Sequence, residues 1–97
     1  MLIRRRDILD RFVAEHADAQ IALQRWVDTV EEADWLSHTD IKLMFPSADY
    51  IGNGRYVFNI KGNRYRLVVV VIFVSALLTI RYAGTHAQYD KINSRTI

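Results

Sequence analysis

Arg64, Arg66 and His86 are the side chains whose chemical types could act together on a phosphodiester. Guanidinium groups hold a phosphate in a fork geometry and stabilise the charge that develops on it, while a neutral imidazole near pH 7 serves as a base. Like charge disfavours the imidazolium, so arginines beside a histidine favour its neutral form. The 2′-hydroxyl of RNA supplies its own nucleophile, and ribonuclease chemistry therefore needs nothing this chain lacks. Lys61 is a candidate to share the base role, and Tyr89 to orient His86 or stack on a base. Asn63 and Arg81 join Lys61 and Tyr89 as candidate RNA-binding residues. Bland readings stand beside these: solvated arginines at a strand end, a hydrogen-bonded structural histidine, a tyrosine covering a core edge.

Other chemistry finds little support. His16 continues the apolar stripe of a helix and His38 has no partner in sequence, and the three histidines lack metal-ligand spacing. No nucleophile elbow surrounds Ser37, Ser47, Ser75 or Ser94. Neither a metal nor a cofactor is expected. Gly52 and Gly54 lack the remaining glycine and the following helix of a dinucleotide fingerprint, so they read as a turn.

The elements that must bring Arg64, Arg66 and His86 together follow from periodicity. From Arg64 to Phe73 the chain reads as a strand, with Arg64, Arg66, Val68, Val70 and Ile72 on one face and Tyr65, Leu67, Val69, Val71 and Phe73 on the other. A turn around Ser75 and Ala76 leads into a strand from Leu77 to Gly84. That hairpin sets Arg66 against Gly84 or Thr85, and Arg64 against His86 or Ala87. Both arginines and His86 then converge at one end of a sheet, with Lys61 on the adjoining turn and Tyr89 in a closing helix from about Thr85 to Ile92. Turns at Gly52-Asn53-Gly54 and Lys61-Gly62-Asn63 mark two further strands, Asp49 to Ile51 and Arg55 to Ile60. Leu2 to Arg4 is a candidate edge strand.

Upstream, Ile8, Leu9, Phe12, Val13 and His16 recur at helical spacing, as do Ala19, Ala22, Leu23, Trp26, Val27, Val30 and Ala33. Two amphipathic helices are predicted, with a tight turn near Ala17, Asp18 as the cap of the second and Trp26 as a core anchor. Between Trp35 and Pro46 a cap candidate (Ser37 or Thr39) and a short apolar set predict one or two more helical turns.

Composition sets the limits. The chain has 97 residues, 51% hydrophobic and 25% charged, which fits one globular domain over residues 1–97 rather than a disordered chain. Cysteine is absent, so thiol chemistry is excluded and a reducing, cytoplasmic setting is expected. Met1 to Arg6, followed by acidic and polar residues, has no apolar h-region and no signal peptide is expected; Leu67 to Ile80 falls short of the roughly 20 residues that a membrane span requires. Of the 11 acidic residues only Asp90 follows Tyr50, whereas Arg55, Lys61, Arg64, Arg66, Arg81, Lys91 and Arg95 all do. A basic C-terminal half points to a polyanionic partner.

Three strings carry a family resemblance. They are Phe45-Pro46-Ser47-Ala48-Asp49; Tyr56-Val57-Phe58-Asn59-Ile60-Lys61-Gly62-Asn63-Arg64-Tyr65-Arg66-Leu67; and Ile80-Arg81-Tyr82-Ala83-Gly84-Thr85-His86-Ala87-Gln88-Tyr89-Asp90-Lys91-Ile92. Together they resemble the HigB-type toxins of bacterial type II toxin-antitoxin pairs, in the RelE/ParE superfamily. The resemblance implies an α+β fold: two N-terminal helices packed on a four- to five-stranded, mainly antiparallel sheet, with a short C-terminal helix. It also implies an mRNA interferase, a ribosome-dependent endoribonuclease that inhibits translation. Its partners would be mRNA, the ribosomal A site and a helix-turn-helix HigA-type antitoxin, with a homodimer and a toxin-antitoxin heterotetramer both open. By position, Arg66 matches the arginine that contacts the scissile phosphate and His86 the catalytic residue at the end of the last strand. Lys61 and Arg64 match basic positions of the active face. Alternatives are a non-enzymatic inhibitor of DNA gyrase and an inactive homologue that acts as a binding module.

Overall fold

The computed structural model describes all of residues 1–97. Five strands form one sheet: β1 (Leu2–Arg4), β2 (Asp49–Gly52), β3 (Arg55–Ile60), β4 (Tyr65–Ile72) and β5 (Leu77–Thr85), in the order β1-β5-β4-β3-β2. β2 through β5 are joined as antiparallel hairpins, while β1 runs parallel to β5 and pairs only Leu2, Ile3 and Arg4 with Leu77, Leu78 and Thr79. The expected edge strand is thus present, and it makes the sheet mixed. Helices α1 (Arg6–Glu15) and α2 (Gln20–Glu32) cover one face, α3 (His38–Met44) links them to β2, and α4 (His86–Tyr89) follows β5. The α+β architecture expected from the resemblance is the one observed.

The hydrophobic stripes explain this layering. Leu9 and Phe12 of α1 and Leu23, Trp26, Val27 and Val30 of α2 are buried against Phe58, Leu67, Val69, Val71, Leu78 and Ile80 of the sheet. Each large side chain so removed from water contributes about 1.5–3 kcal/mol. Trp26 meets Phe58 edge to face at 5.4 Å, and Trp35 stacks on Phe58 at 6.4 Å while its Nε1 donates to Met44 Sδ at 3.1 Å. β-branched residues fill β4, where Val68, Val69 and Val71 are buried, because such side chains suit a pleated surface.

Local chemistry fixes the connections. Asn53 (φ 54) and Gly54 (φ 72) both take the left-handed conformation, as a two-residue hairpin loop between Gly52 and Arg55 requires. Two details depart from expectation. Asp18 does not cap α2: it sits in a single 3₁₀ turn, Ala17–Ala19, and its carboxylate is drawn instead to cations on the sheet. In the last hairpin Val68 pairs with Tyr82 but Val69 with Ile80, so Arg81 is an unpaired bulge residue.

Candidate active site at the end of the last hairpin

The register brings Arg66 opposite Gly84 and Tyr65 opposite Thr85, and β5 ends there. Since Tyr65 and Leu67 face the helices, Arg66 projects from the other side of the sheet. The chain then turns into α4, so His86 starts two residues beyond the partner of Arg66. Thr85 makes this turn rigid: its Oγ1 accepts from the Gln88 N–H at 3.2 Å, and Gln88 Oε1 accepts from the Thr85 N–H at 3.0 Å. This is a capping box, which satisfies two backbone donors at the helix start. α4 is shorter than expected, although Lys91 and Ile92 continue with turn-type bonds to Gln88 and Tyr89.

Tyr89 lies under the arginine, with the guanidinium carbon of Arg66 4.8 Å from its ring centroid. A cation over an aromatic face is attracted by the ring quadrupole. The Tyr89 hydroxyl donates to Ser94 Oγ at 3.2 Å, which holds the ring in place. Two nitrogens in this cluster, Arg66 Nε and His86 Nε2, are buried without a hydrogen-bond partner. Buried polar groups are nearly always satisfied, so these two orphans mark polar atoms left open near the end of the hairpin: Arg66 Nε can only donate, and His86 Nε2 donates or accepts according to its tautomer. Tyr82 lies over Gly84, its ring occupying the space that a side chain on Gly84 would need, and burial pushes its hydroxyl above the ordinary tyrosine range.

The other expected members are arranged differently. Arg64 precedes β4, and its Nη1 donates to Asp18 Oδ2 at 3.1 Å. Lys61 Nζ donates to the same oxygen at 3.1 Å and the Tyr65 hydroxyl to Oδ1 at 2.6 Å. The Tyr65 hydroxyl and the Lys61 ammonium hold the Asp18 carboxyl well below the usual carboxylate range. Strand pairing stops at Tyr65, so Arg64 is free to turn toward the helical layer, and the expected convergence of Arg64 with Arg66 and His86 gives way to a separate Asp18 node. Asn63 is exposed on the adjoining turn. Arg81, on the bulge, donates through Nε to the Ile97 carbonyl oxygen at 3.2 Å, and Arg55 Nη2 reaches that oxygen at 2.9 Å. His16 stacks on Phe12 at 4.4 Å, as a packed residue should, and His38 Nδ1 lies 3.0 Å from the Tyr56 hydroxyl.

Sequence reasoning missed four contributors: Asp18 as an anchor for cations, Ser94 as the tether of Tyr89, Tyr82 over Gly84, and Gln88 in the capping box. Only the last had a local signal, since Thr85-x-x-Gln88 fits the Ser/Thr-x-x-Glu/Gln pattern. Asp18 meets its cations across the chain, whereas Tyr82 over Gly84 and Ser94 beside Tyr89 are near in sequence but carry no recognisable local pattern.

The mixed sheet with helices on one face, closed by a short helix carrying the polar cluster, is consistent with a RelE-like protein. Residues 19–92 match the HigB toxin family, described as the RelE-like toxic component of a toxin-antitoxin system, and the chain belongs to that family. An Escherichia coli relative named mRNA interferase HigB is 27% identical over 74 residues, which cover 74% of this chain and 72% of the relative. An mRNA interferase toxin HigB from another Escherichia coli strain is 36% identical over 66 residues, covering 65% of this chain and 62% of the relative. The mRNA interferase HigB of Shigella flexneri matches to the same extent, so the matched stretch spans less than two thirds of these last two relatives.

Proposed function

We propose that this chain is an mRNA endoribonuclease acting on translated messages, and that Arg66, His86 and Tyr89 form its reaction centre. The RNA 2′-oxygen attacks the adjacent phosphorus, the bond from phosphorus to the 5′-oxygen breaks, and the products are a 2′,3′-cyclic phosphate and a 5′-hydroxyl. One proton leaves the 2′-hydroxyl and one reaches the departing 5′-oxygen; His86 carries one of these transfers. Arg66 holds the scissile phosphate and stabilises its developing charge. Tyr89, fixed by Ser94, keeps the Arg66 guanidinium in place. Arg64 and Lys61 bear on the RNA chain beside the reacting phosphate, sharing their charge with Asp18, while Asn63 and Arg81 extend the contact surface. The observation that carries this reading is the pair of unpartnered nitrogens, Arg66 Nε and His86 Nε2, at the end of one hairpin. Relatives named mRNA interferase support the substrate class.

The family description implies an antitoxin. A helix-turn-helix protein of the HigA type is the partner we assign, and a translating ribosome as target places the action in the cytoplasm. Primer-extension mapping in a reconstituted translation reaction tests the catalytic assignment. The wild type should cut translated message only, and folded Arg66→Ala and His86→Ala variants should cut at least about 100-fold more slowly. Undiminished cleavage by His86→Ala would remove the histidine from the mechanism. No cleavage by any protein would replace the interferase reading with that of a non-catalytic inhibitor.

A further inference from the structure

On the face of the sheet turned away from the helices, Arg66 shares a row with Asn59, Val68 shares the next with Val57, and Val70 shares the one beyond with Arg55. Val68 and Val57 are 0% and 3% exposed, yet neither belongs to the core beneath the helices, so other residues cover them. Bonds across this face place the segment after α4 there. Tyr89 holds Ser94 at the Arg66 end. At the other end Asn53 Nδ2 donates to the Arg95 carbonyl oxygen at 3.4 Å. The main-chain oxygen of Ile97 accepts three guanidinium bonds, from Arg55 Nε at 3.2 Å, Arg55 Nη2 at 2.9 Å and Arg81 Nε at 3.2 Å. The segment is no strand of the sheet: its backbone bonds are turn bonds within itself, and side chains hold it down.

Two guanidinium groups that converge on one oxygen are arranged as they would be around an anion. Arg55 Nη1 is fixed by the Asn53 carbonyl oxygen at 3.1 Å, and no aspartate or glutamate pairs with Arg55 or Arg81. A cavity of about 290 Å³ between α1, β5 and Ile97 opens beside Arg81, so the pair is reached from solvent. The Ile97 oxygen stands where a phosphate oxygen would. Arg55 lies four residues along β3 from Asn59, about 13 Å from the Arg66 row at the ordinary strand rise, on the same face. We propose that Arg55 and Arg81 form a second phosphate site, which takes a backbone phosphate other than the scissile one, and that Arg95–Ile97 fill it as a strap that RNA displaces. This inference rests on the RNA reading above. Strap and RNA exclude each other, so the free protein keeps this part of the face closed, and its affinity for RNA is reduced by the closed fraction.

Nuclear magnetic resonance on the full chain tests both halves of this. A short single-stranded RNA with 2′-O-methyl sugars, which cannot be cut, is titrated into ¹⁵N-labelled protein, with inorganic phosphate in a parallel series. The RNA should move the Arg55 Nε–H peak saturably and lower the heteronuclear NOE of the Arg95–Ile97 amides as the strap leaves. Affinities of two variants should change in opposite directions. Arg55→Gln should weaken RNA binding about fivefold or more and lower the salt slope by about 0.7. Ile97→Gly, which removes a half-buried side chain from the strap, should tighten it about threefold or more. An unchanged strap NOE in the saturated complex, equal affinity for Arg55→Gln, or weaker binding by both variants overturns the site. A response to inorganic phosphate with none to RNA overturns the RNA assignment. Message cleavage by the same samples, measured separately, shows whether the interferase reading fails on its own; cleavage without release of the strap keeps that reading and removes the second site.

Discussion

At the scale of single residues, two positions near the candidate site do work that their types alone do not reveal. Gly84 is one. A Cβ there would lie 2.8 Å from Cε2 and Cζ of Tyr82, closer than side chains tolerate, so the ring of Tyr82 would have to swing away. Gly84→Ala should therefore cost about 1–3 kcal/mol, as overpacking does, and most of that cost should vanish in a Tyr82→Ala background. Urea denaturation of the four proteins measures the coupling; equal costs in both backgrounds would show that Tyr82 is not the obstacle. Asp18 is the other. Its carboxyl, held low by the Tyr65 hydroxyl and Lys61, contributes stability that is present above its unfolded value of about 3.9 and is lost as pH falls through the lower folded value. The wild type should thus lose stability progressively below about pH 4, and Asp18→Asn should show a shallower fall. Some acid lability will persist, because Arg5 holds Asp7 low in the same sense. Identical pH profiles would remove Asp18 as a contributor. Asp18 also shows what one sequence cannot display: a residue that looks like a cap is taken by cations more than forty positions away, and only the folded chain juxtaposes them.

Elements were more legible than their junctions. Strict alternation in β4 placed Tyr65 and Leu67 on the buried face and Arg66 on the other, and the Asn53-Gly54 loop announced its hairpin. The partner of Arg66 was also predictable to within one residue, as Gly84 or Thr85, since the turn residues bound the register, and the structure selects Gly84. The bulge at Arg81 was hidden because Ile80-Arg81-Tyr82 keeps an ordinary strand composition. The fate of Arg64 depended on where pairing stops, which alternation does not encode. The capping box is the junction with the clearest functional consequence. Thr85 and Gln88 fix the first turn of α4, which is only four residues long and carries both His86 and Tyr89. A helix this short has little stability of its own. Thr85→Ala should cost about 1 kcal/mol of stability and reduce cleavage by more than the unfolded fraction accounts for, whereas Thr85→Ser should restore both. Activity unaffected by Thr85→Ala, in protein of confirmed fold, would mean that His86 is positioned by other contacts.

Across the whole molecule, charge is divided between the layers. α1 and α2 carry Asp7, Asp10, Glu15, Asp28, Glu31 and Glu32 against Arg6, Arg11 and Arg25, while the opposite side of the sheet presents Arg55, Arg66 and Arg81. The formal net charge of +2 conceals this arrangement, which orients a polyanion toward the sheet and away from the helices. Single-stranded nucleic acid releases counterions on binding, and the logarithm of affinity falls with the logarithm of salt by about 0.7 for each phosphate neutralised. Affinity for an uncleavable RNA should accordingly drop as salt is raised. Arg81→Ala on the sheet side should lower the slope by about 0.7, and Arg6→Ala, which removes a helix-side residue paired with Glu31 at 3.2 Å, should leave it unchanged. Fluorescence anisotropy over a salt series separates the two. Equal loss from both substitutions would mean that RNA is held by diffuse charge, and the sheet would then lose its claim to be the binding face; a slope lowered only by Arg6→Ala would move the interface to the helical layer.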